Sequence, residues 1–204
     1  MAKLNTLEIT PLSGSRDAVL NATRQLIAEE GVENTTVRKI ATAAGLSPGR
    51  IIQQFGSKGR LMFELFRRRN RETDPAMIEK LEAVQDGAVR ERVSAFFEGM
   101  ILRDFSDIEL SREVMAHSWR WTQEEDAAYL EELQHYISWL AQVLTGPRDA
   151  PKDAHFVAAS SMIAMYVSFV NRALHAEDLK KALLPMLMQC CDLTLAGLKA
   201  GEAA

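Results

Sequence analysis

Apolar residues recur at helical spacing along the N-terminal part of the chain. A first helix is predicted to begin at Ser15, whose side chain can cap it, and to stop at Gly31, which favours a left-handed backbone. Its apolar positions lie three or four residues apart: Val19, Leu20, Ala22, Leu26 and Ile27. A second, short helix is predicted between a cap at Thr35 or Thr36 and Gly45. Its apolar stripe is Val37, Ile40, Ala41 and Ala44.

A third short helix is predicted after a turn that contains a glycine. Ser47 is its expected N-cap because the following proline disfavours the helical region for Ser47, and Pro48 suits the first helical position. One arc of this helix is apolar and is expected to pack on the first two helices: Pro48, Ile51, Ile52 and Phe55. The opposite arc carries Gly49, Arg50, Gln53 and Gln54. This order of helix, short turn and helix is the layout of a helix-turn-helix motif.

The polar arc of the third helix has the chemistry that reads DNA bases. Arginine and glutamine make paired hydrogen bonds to guanine and adenine in the major groove. Gly49 adds no bulk and allows a close approach of the backbone. The alternative is that Arg50, Gln53 and Gln54 are ordinary surface residues, since Arg and Gln are favourable in helices.

Charge is divided unevenly along the 204 residues, whose net formal charge is −4. Residues 1–71 contain 12 Lys and Arg against 6 Asp and Glu, and the remainder contains 12 against 22. This asymmetry indicates a basic module for a polyanion joined to an acidic body. It favours the interpretation that the third helix contacts DNA.

The rest of the chain is also predicted to be helical, which makes the fold class all-α. A fourth helix is expected over residues 57–72, followed by a break at Thr73-Asp74-Pro75. Thr122 and Glu125 form a capping box that opens a helix to about Leu144. Apolar faces place the other helices at residues 87–104, around 110–115, at 151–175 and at 178–199.

The last two predicted helices are apolar on more than one face, which is typical of helices buried on two sides. We therefore predict a homodimer in which each subunit contributes these two helices to a four-helix bundle. A deeper monomer core is the alternative. The uncharged run 156–170 is shorter than a membrane span and is interrupted by serines, so no membrane association is expected.

Cysteine usage and missing motifs narrow the function classes further. The two cysteines, Cys190 and Cys191, are adjacent and cannot form a disulfide framework, which favours a reduced, cytoplasmic setting. Residues 1–14 lack the pattern of a signal peptide. The four histidines are scattered, and the sequence has no CxxC, glycine-rich phosphate loop or GxSxG motif. No metal, cofactor or enzymatic activity is therefore predicted.

Residues 16–66 resemble the DNA-binding region of the TetR/AcrR family of bacterial regulators. The resemblance lies in Ala22…Leu26-Ile27…Glu30-Gly31, Thr35-Thr36-Val37-Arg38-Lys39-Ile40-Ala41, Ala44-Gly45-Leu46-Ser47-Pro48-Gly49 and Phe55-Gly56-Ser57-Lys58…Leu61. Ile52 stands where the family usually has a tyrosine that anchors the helix on DNA phosphate, and the pair Ile51-Ile52 resembles the BetI subgroup. The resemblance implies a helix-turn-helix domain at residues 13–73, with its motif at 36–55. It also implies a helical ligand-binding and dimerisation domain at residues 74–204.

The family resemblance assigns DNA-contacting roles to particular residues. Thr36 and Lys58, at the starts of the second and fourth helices, are expected to contact phosphates. The residues expected to face the groove are Ser47, Gly49, Arg50, Gln53 and Gln54.

Aromatic and methionine side chains on the central helices are candidates for an effector pocket. These candidates are Phe96, Met100, Met115, Trp119, Trp121 and Tyr166. Most such residues are more often plain core, which is the alternative for each of them.

The leading hypothesis is a DNA-binding transcriptional regulator. In this hypothesis a homodimeric repressor binds an inverted-repeat operator in double-stranded DNA and responds to a small-molecule effector of unknown identity. One alternative is an activator of the same fold. Another is a helical ligand-binding or protein-interaction dimer that does not bind DNA, for which Ile52 in place of tyrosine is the argument.

Overall fold

A computed structural model describes residues 14–202, and its regular secondary structure over that range is helical. The helices are α1 Gly14–Asn34, α2 Val37–Ala43, α3 Pro48–Phe55, α4 Lys58–Ala83, α5 Val89–Ser106, α6 Ile108–His117, α7 Gln123–Thr145, α8 Asp153–Ala173 and α9 Glu177–Glu202. A 3₁₀ turn, Ser118–Arg120, precedes α7. The all-α prediction is confirmed for the described residues.

The described chain divides into two compact units. The head unit comprises residues 14–72 and Asp107–Asp126, and the body unit comprises Thr73–Ser106 and residues 127–202. The division at residue 72 lies beside the domain boundary expected from the sequence. Residues 107–126, which we expected in the C-terminal domain, belong to the head unit instead.

Local sequence determines the ends of the short helices in the head unit. Thr36 is the N-cap of α2 and accepts a hydrogen bond from the Lys39 amide at 3.3 Å. Ser47 caps α3 in the same way, accepting from the Arg50 amide at 3.2 Å, and Pro48 occupies the first turn. The expected stop at Gly31 is a sharp break within α1, with φ of 79°.

The head unit is built around the inward faces of α1, α2, α3 and α4. Its fully buried side chains include Val19, Leu20, Ile40, Ile51, Leu61 and Leu65. The apolar arc of α3 is narrower than predicted, because Pro48 is exposed and Ile52 retains 44% of its accessible surface. Ile51 and Phe55 alone anchor α3 in the core.

The predicted break at Pro75 is wrong, since α4 continues through Pro75 to Ala83. A proline removes one backbone hydrogen bond from a helix, and this loss can be offset by tertiary contacts. The neighbouring Asp74 is buried and accepts a hydrogen bond from the Tyr136 hydroxyl at 2.9 Å. This contact lies within the body unit and ties α4 to α7.

A polar cluster lies inside the body unit. The guanidinium of Arg103 is 3.0 Å from the Asp104 carboxylate and 4.6 Å from the centre of the Tyr136 ring. The Tyr166 hydroxyl donates to Asp104 at 2.6 Å. Burial raises the pKa of Tyr136 above its ordinary value. Buried polar groups of this kind contribute stability only when they are hydrogen-bonded to one another.

Side-chain hydrogen bonds help to hold the connection between α7 and α8. Arg92 donates from Nε to the Val143 carbonyl at 2.9 Å and from Nη1 to the Gly87 carbonyl at 2.7 Å. Gln142 donates from Nε2 to the carbonyls of Gly146 at 2.6 Å and Asp149 at 3.0 Å. The carbonyls of Val143, Gly146 and Asp149 lie at the end of α7 or beyond it, where the helix provides no N–H donor for them. The side chains of Arg92 and Gln142 supply these donors instead.

Helices α8 and α9 pack on each other and expose several large apolar side chains. These are Phe156, Val157, Leu179, Met186 and Leu193. By length and composition alone both helices also meet the requirement for a membrane span, although the uncharged run 156–170 is itself shorter than one. However, α9 carries Asp192, which pairs with Arg90 at 2.7 Å, and a charged residue within a span is costly.

Candidate nucleic-acid interface

Four predicted groove-facing residues lie on the exposed side of α3. Ser47, Gly49, Arg50 and Gln53 are exposed, whereas Ile51 is buried in the head unit. We call these four residues the α3 ridge. The buried anchor fixes which side of the helix faces solvent, so the ridge is presented by the core packing.

Within the ridge, Arg50 and Gln53 form a side-chain pair. Nη1 of Arg50 donates to Oε1 of Gln53 at 3.0 Å, one helical turn apart. The amide oxygen of Gln53 keeps a second lone pair, so the pair offers both N–H donors and an acceptor to a partner. Guanine presents two adjacent acceptors, N7 and O6, in the major groove, whereas adenine also requires an acceptor on the protein. The guanidinium of Arg50, which has only donors, therefore suits guanine.

Gln54 does not lie on the ridge. It is half-buried, and its Nε2 donates to the Ser15 hydroxyl of α1 at 2.9 Å. Its backbone carbonyl accepts from Arg16 at 2.8 Å, and the Arg16 guanidinium lies 4.4 Å from the centre of the Phe55 ring. These contacts join the end of α3 to α1, so Gln54 and Arg16 orient α3 in this structure.

The two predicted phosphate-contacting residues lie at helix N-termini. Thr36 is exposed at the start of α2, and Lys58 is half-buried at the start of α4. The Lys58 ammonium donates to the Val32 carbonyl at 2.8 Å. An ammonium has three N–H donors, so this contact leaves capacity for a phosphate oxygen.

The basic surplus of the N-terminal region is only partly presented at the surface. Arg38 is exposed, but Lys39 pairs with Glu30 at 2.7 Å. Arg60 makes two hydrogen bonds to Glu124, at 2.6 and 3.1 Å, which raise the pKa of Arg60. Its charge is therefore largely compensated within the head unit.

Arg69 belongs to the basic run Arg67-Arg68-Arg69. The structure buries it to 6% exposure, where its Nη1 donates to the Ser111 hydroxyl at 2.7 Å and lies 3.4 Å from the Asp107 carbonyl. Arg69 therefore attaches the N-terminus of α6 to α4.

The six predicted effector-pocket residues are divided between the two units. Phe96, Met100 and Tyr166 are buried in the body unit. Met115 and Trp121 are half-buried in the head unit. Trp119 also belongs to the head unit, but its side chain lies outside the described part of the structure. A small cleft in the body unit, lined by Leu81, Val143 and Pro147 among others, contains none of the six.

The capped pair of short helices, with a buried anchor and an exposed polar ridge, defines a helix-turn-helix protein. Residues 19–65 match the family described as bacterial regulatory proteins, tetR family. This match lies within residues 16–66, the region that resembles the family in sequence.

Two relatives are similar to part of the chain. The HTH-type transcriptional regulator BetI of Escherichia coli O17:K52:H18 is 28% identical over 100 residues, which are 49% of each chain. The HTH-type transcriptional repressor AcnR of Corynebacterium efficiens is 42% identical over 53 residues, which are 26% of this chain and 28% of AcnR. The chain spans about half the length of the BetI proteins it matches. The match to BetI agrees with the resemblance noted at Ile51-Ile52.

Solved structures extend the likeness to the whole fold. A TetR-family transcriptional regulator from Streptomyces coelicolor superposes with a TM-score of 0.61 and 17% identity, covering 90% of this chain and 99% of that one. This likeness establishes an N-terminal helix-turn-helix region followed by a helical C-terminal region. BetI, AcnR and the Streptomyces protein are all named as transcriptional regulators, which agrees with the expectation that the chain is not an enzyme.

Proposed function

We propose that this protein is a transcriptional regulator that binds double-stranded DNA through the α3 ridge. The observation that carries the proposal is the exposed set Ser47, Gly49, Arg50 and Gln53 on a helix fixed by buried Ile51. Thr36 and Lys58 are the proposed phosphate contacts on either side of that helix. We leave Gln54 out of the base-contacting set because it is bonded to α1.

The protein is proposed to act as a homodimer through α8 and α9. The exposed apolar side chains on these helices support this, because an apolar face of this kind is stabilised when a second copy covers it. A two-fold dimer carries two reading helices, which contact half-sites about 34–36 Å apart. The expected operator is therefore an inverted repeat.

The proposed regulatory role is repression relieved by a small-molecule effector in the cytoplasm. The relative AcnR is named as a repressor, which supports this choice. An effector can reduce operator affinity only if it binds better to the arrangement that does not bind DNA, and such couplings are typically about 1–3 kcal/mol. Buried Phe96, Met100 and Tyr166 are the proposed contacts in the body unit.

The test is selection of binding sites from a randomised duplex pool by the full-length protein, followed by titration of the selected duplex and a scrambled one. The expected result is an inverted repeat bound by two subunits, with affinity that falls steeply as salt rises. Failure to enrich any sequence, even at low salt, contradicts the proposal. A reporter gene downstream of the selected site then distinguishes repression from activation.

The alternative of a helical dimer that does not bind DNA rests on Ile52. This residue is 44% exposed where a tyrosine usually contacts phosphate. Weak, salt-insensitive DNA binding combined with tight binding of a small molecule would favour this alternative.

A further inference from the structure

The break in α1 at Gly31 is held by a residue from a distant helix. Gly31 has φ of 79°, in the left-handed region that favours glycine. The next amide, that of Val32, donates to Oε2 of Glu109 on α6 at 3.2 Å. A Cβ at Gly31 would lie 3.3 Å from the same oxygen, so the carboxylate lies directly against the glycine.

The peptide groups of Val32 are bound by two charged side chains of opposite sign. Glu109 accepts from the Val32 N–H, and Lys58 of α4 donates to the Val32 carbonyl at 2.8 Å. Hydrogen bonds to charged groups are stronger than neutral ones. The backbone orientation at Val32 is therefore set by two residues that lie far from it in the sequence.

This constraint continues into the helix-turn-helix motif. The Thr35 amide donates to the Val32 carbonyl at 3.2 Å, and the Thr35 hydroxyl donates to the Gly31 carbonyl at 2.8 Å. Thr35 is fully buried, and the next residue, Thr36, is the N-cap of α2. The orientation of Val32 therefore determines where α2 begins.

Glu109 itself is held in place from α4. It lies in the first turn of α6, where a negative charge is favourable. Buried Arg69 bonds to Ser111 and lies 3.4 Å from the Asp107 carbonyl, which fixes that turn. The carboxylate of Glu109 is thus presented by a rigid helix end, even though the residue is exposed.

We propose that Glu109 is a positioning residue for DNA reading: its carboxylate holds the Val32 amide and, together with Lys58, sets the start of α2 and the location of Thr36. The inference rests on the proposed function for its effect on DNA. The hydrogen bond from the Val32 amide to Glu109, and the backbone orientation that it fixes, do not depend on DNA binding.

Two conservative variants separate positioning from charge. Glu109→Asp keeps the charge but is one methylene too short for the contact, whereas Glu109→Gln loses the charge but keeps an oxygen acceptor at the same reach. Glu113→Gln is the matched control, because its carboxylate is also on α6 and its partner is His117 of the same helix. If Glu109 affects DNA binding only by repelling the DNA phosphates, Glu109→Gln and Glu113→Gln should both bind DNA more tightly. Glu109→Asp should then bind with unchanged affinity.

Positioning instead predicts a loss of affinity for Glu109→Asp, where charge alone predicts no change. Glu109→Asp is expected to weaken binding of the selected duplex about tenfold, which is the lower end of the scale for one hydrogen bond to a charged group. Glu109→Gln is expected to bind at least as tightly as Glu113→Gln. Unchanged affinity for Glu109→Asp, or a loss shared by all three variants, overturns the inference.

Amide hydrogen exchange on the protein without DNA gives a second readout. The Val32 amide is expected to exchange about tenfold faster in Glu109→Asp than in the unsubstituted protein, and at the unsubstituted rate in Glu113→Gln. Equal rates at Val32 in all proteins overturn the inference. If the protein binds no duplex but this exchange difference is found, the proposed function fails while the hold of Glu109 on Val32 stands.

Discussion

Replacement of Arg50 tests base reading directly, because the structure separates its effect on folding from its effect on binding. Arg50 is exposed and its hydrogen-bonding partner is Gln53 on the same surface. Arg50→Ala should therefore change the free energy of unfolding by less than about 0.5 kcal/mol. Loss of a bidentate contact to guanine should cost about 1–3 kcal/mol of specific binding, or roughly 5- to 150-fold in Kd.

The assay is a titration of the selected duplex and a scrambled duplex at several salt concentrations. Arg50→Lys is the matched control, since it keeps the charge but loses the planar fork. It should reduce the preference for the selected duplex while leaving the salt dependence unchanged. Arg38→Ala removes an exposed positive charge from α2. It should weaken binding of both duplexes equally and lower the slope of log affinity against log salt by about 1. Equal loss on both duplexes in Arg50→Ala would refute base reading by Arg50.

Three further predictions concern stability. Gly31→Ala should destabilise the protein by at least about 1 kcal/mol in urea unfolding, because φ is 79° and the added Cβ lies 3.3 Å from Glu109. Tyr166→Phe should cost about 1–3 kcal/mol in the same assay by removing the 2.6 Å bond to buried Asp104; an unchanged midpoint would exclude that role. Burial raises the pKa of Cys191 to about 12, so its contribution to stability should be complete below about pH 8.5 and lost as pH rises towards 12. Urea unfolding midpoints measured across this pH range should fall as the pH rises. A midpoint that rises with pH would contradict the prediction.

Local signals predicted the helices and their caps well. Thr36, Ser47 and the Thr122–Glu125 box act on amides three residues away, so the sequence contains both partners within one turn. Pro75 shows where a local rule fails. A proline signals a helix end, but the buried bond between Asp74 and Tyr136 involves a residue that no local pattern identifies.

The candidate site was predictable where periodicity alone decides exposure, as for Arg50 and Gln53. The orientation of a side chain was not predictable where a partner distant in sequence determines it. Gln54, for example, donates a hydrogen bond to Ser15, which is 39 residues away. The contact between Glu109 and Val32 spans 77 residues and leaves no sequence signal. Periodicity could not assign the residues of the proposed effector pocket, since burial makes an aromatic residue look the same in a core and in a pocket.

The connection between α7 and α8 has a practical consequence for engineering. Its Gly, Pro and charged composition resembles an open linker, which is where a purification tag or a fluorescent reporter is normally inserted. However, Gln142 donates hydrogen bonds to the carbonyls of Gly146 and Asp149, and Arg92 donates one to the Val143 carbonyl near the end of α7. An insertion at this point would break these hydrogen bonds. The segment is therefore part of the ordered structure and a poor insertion site.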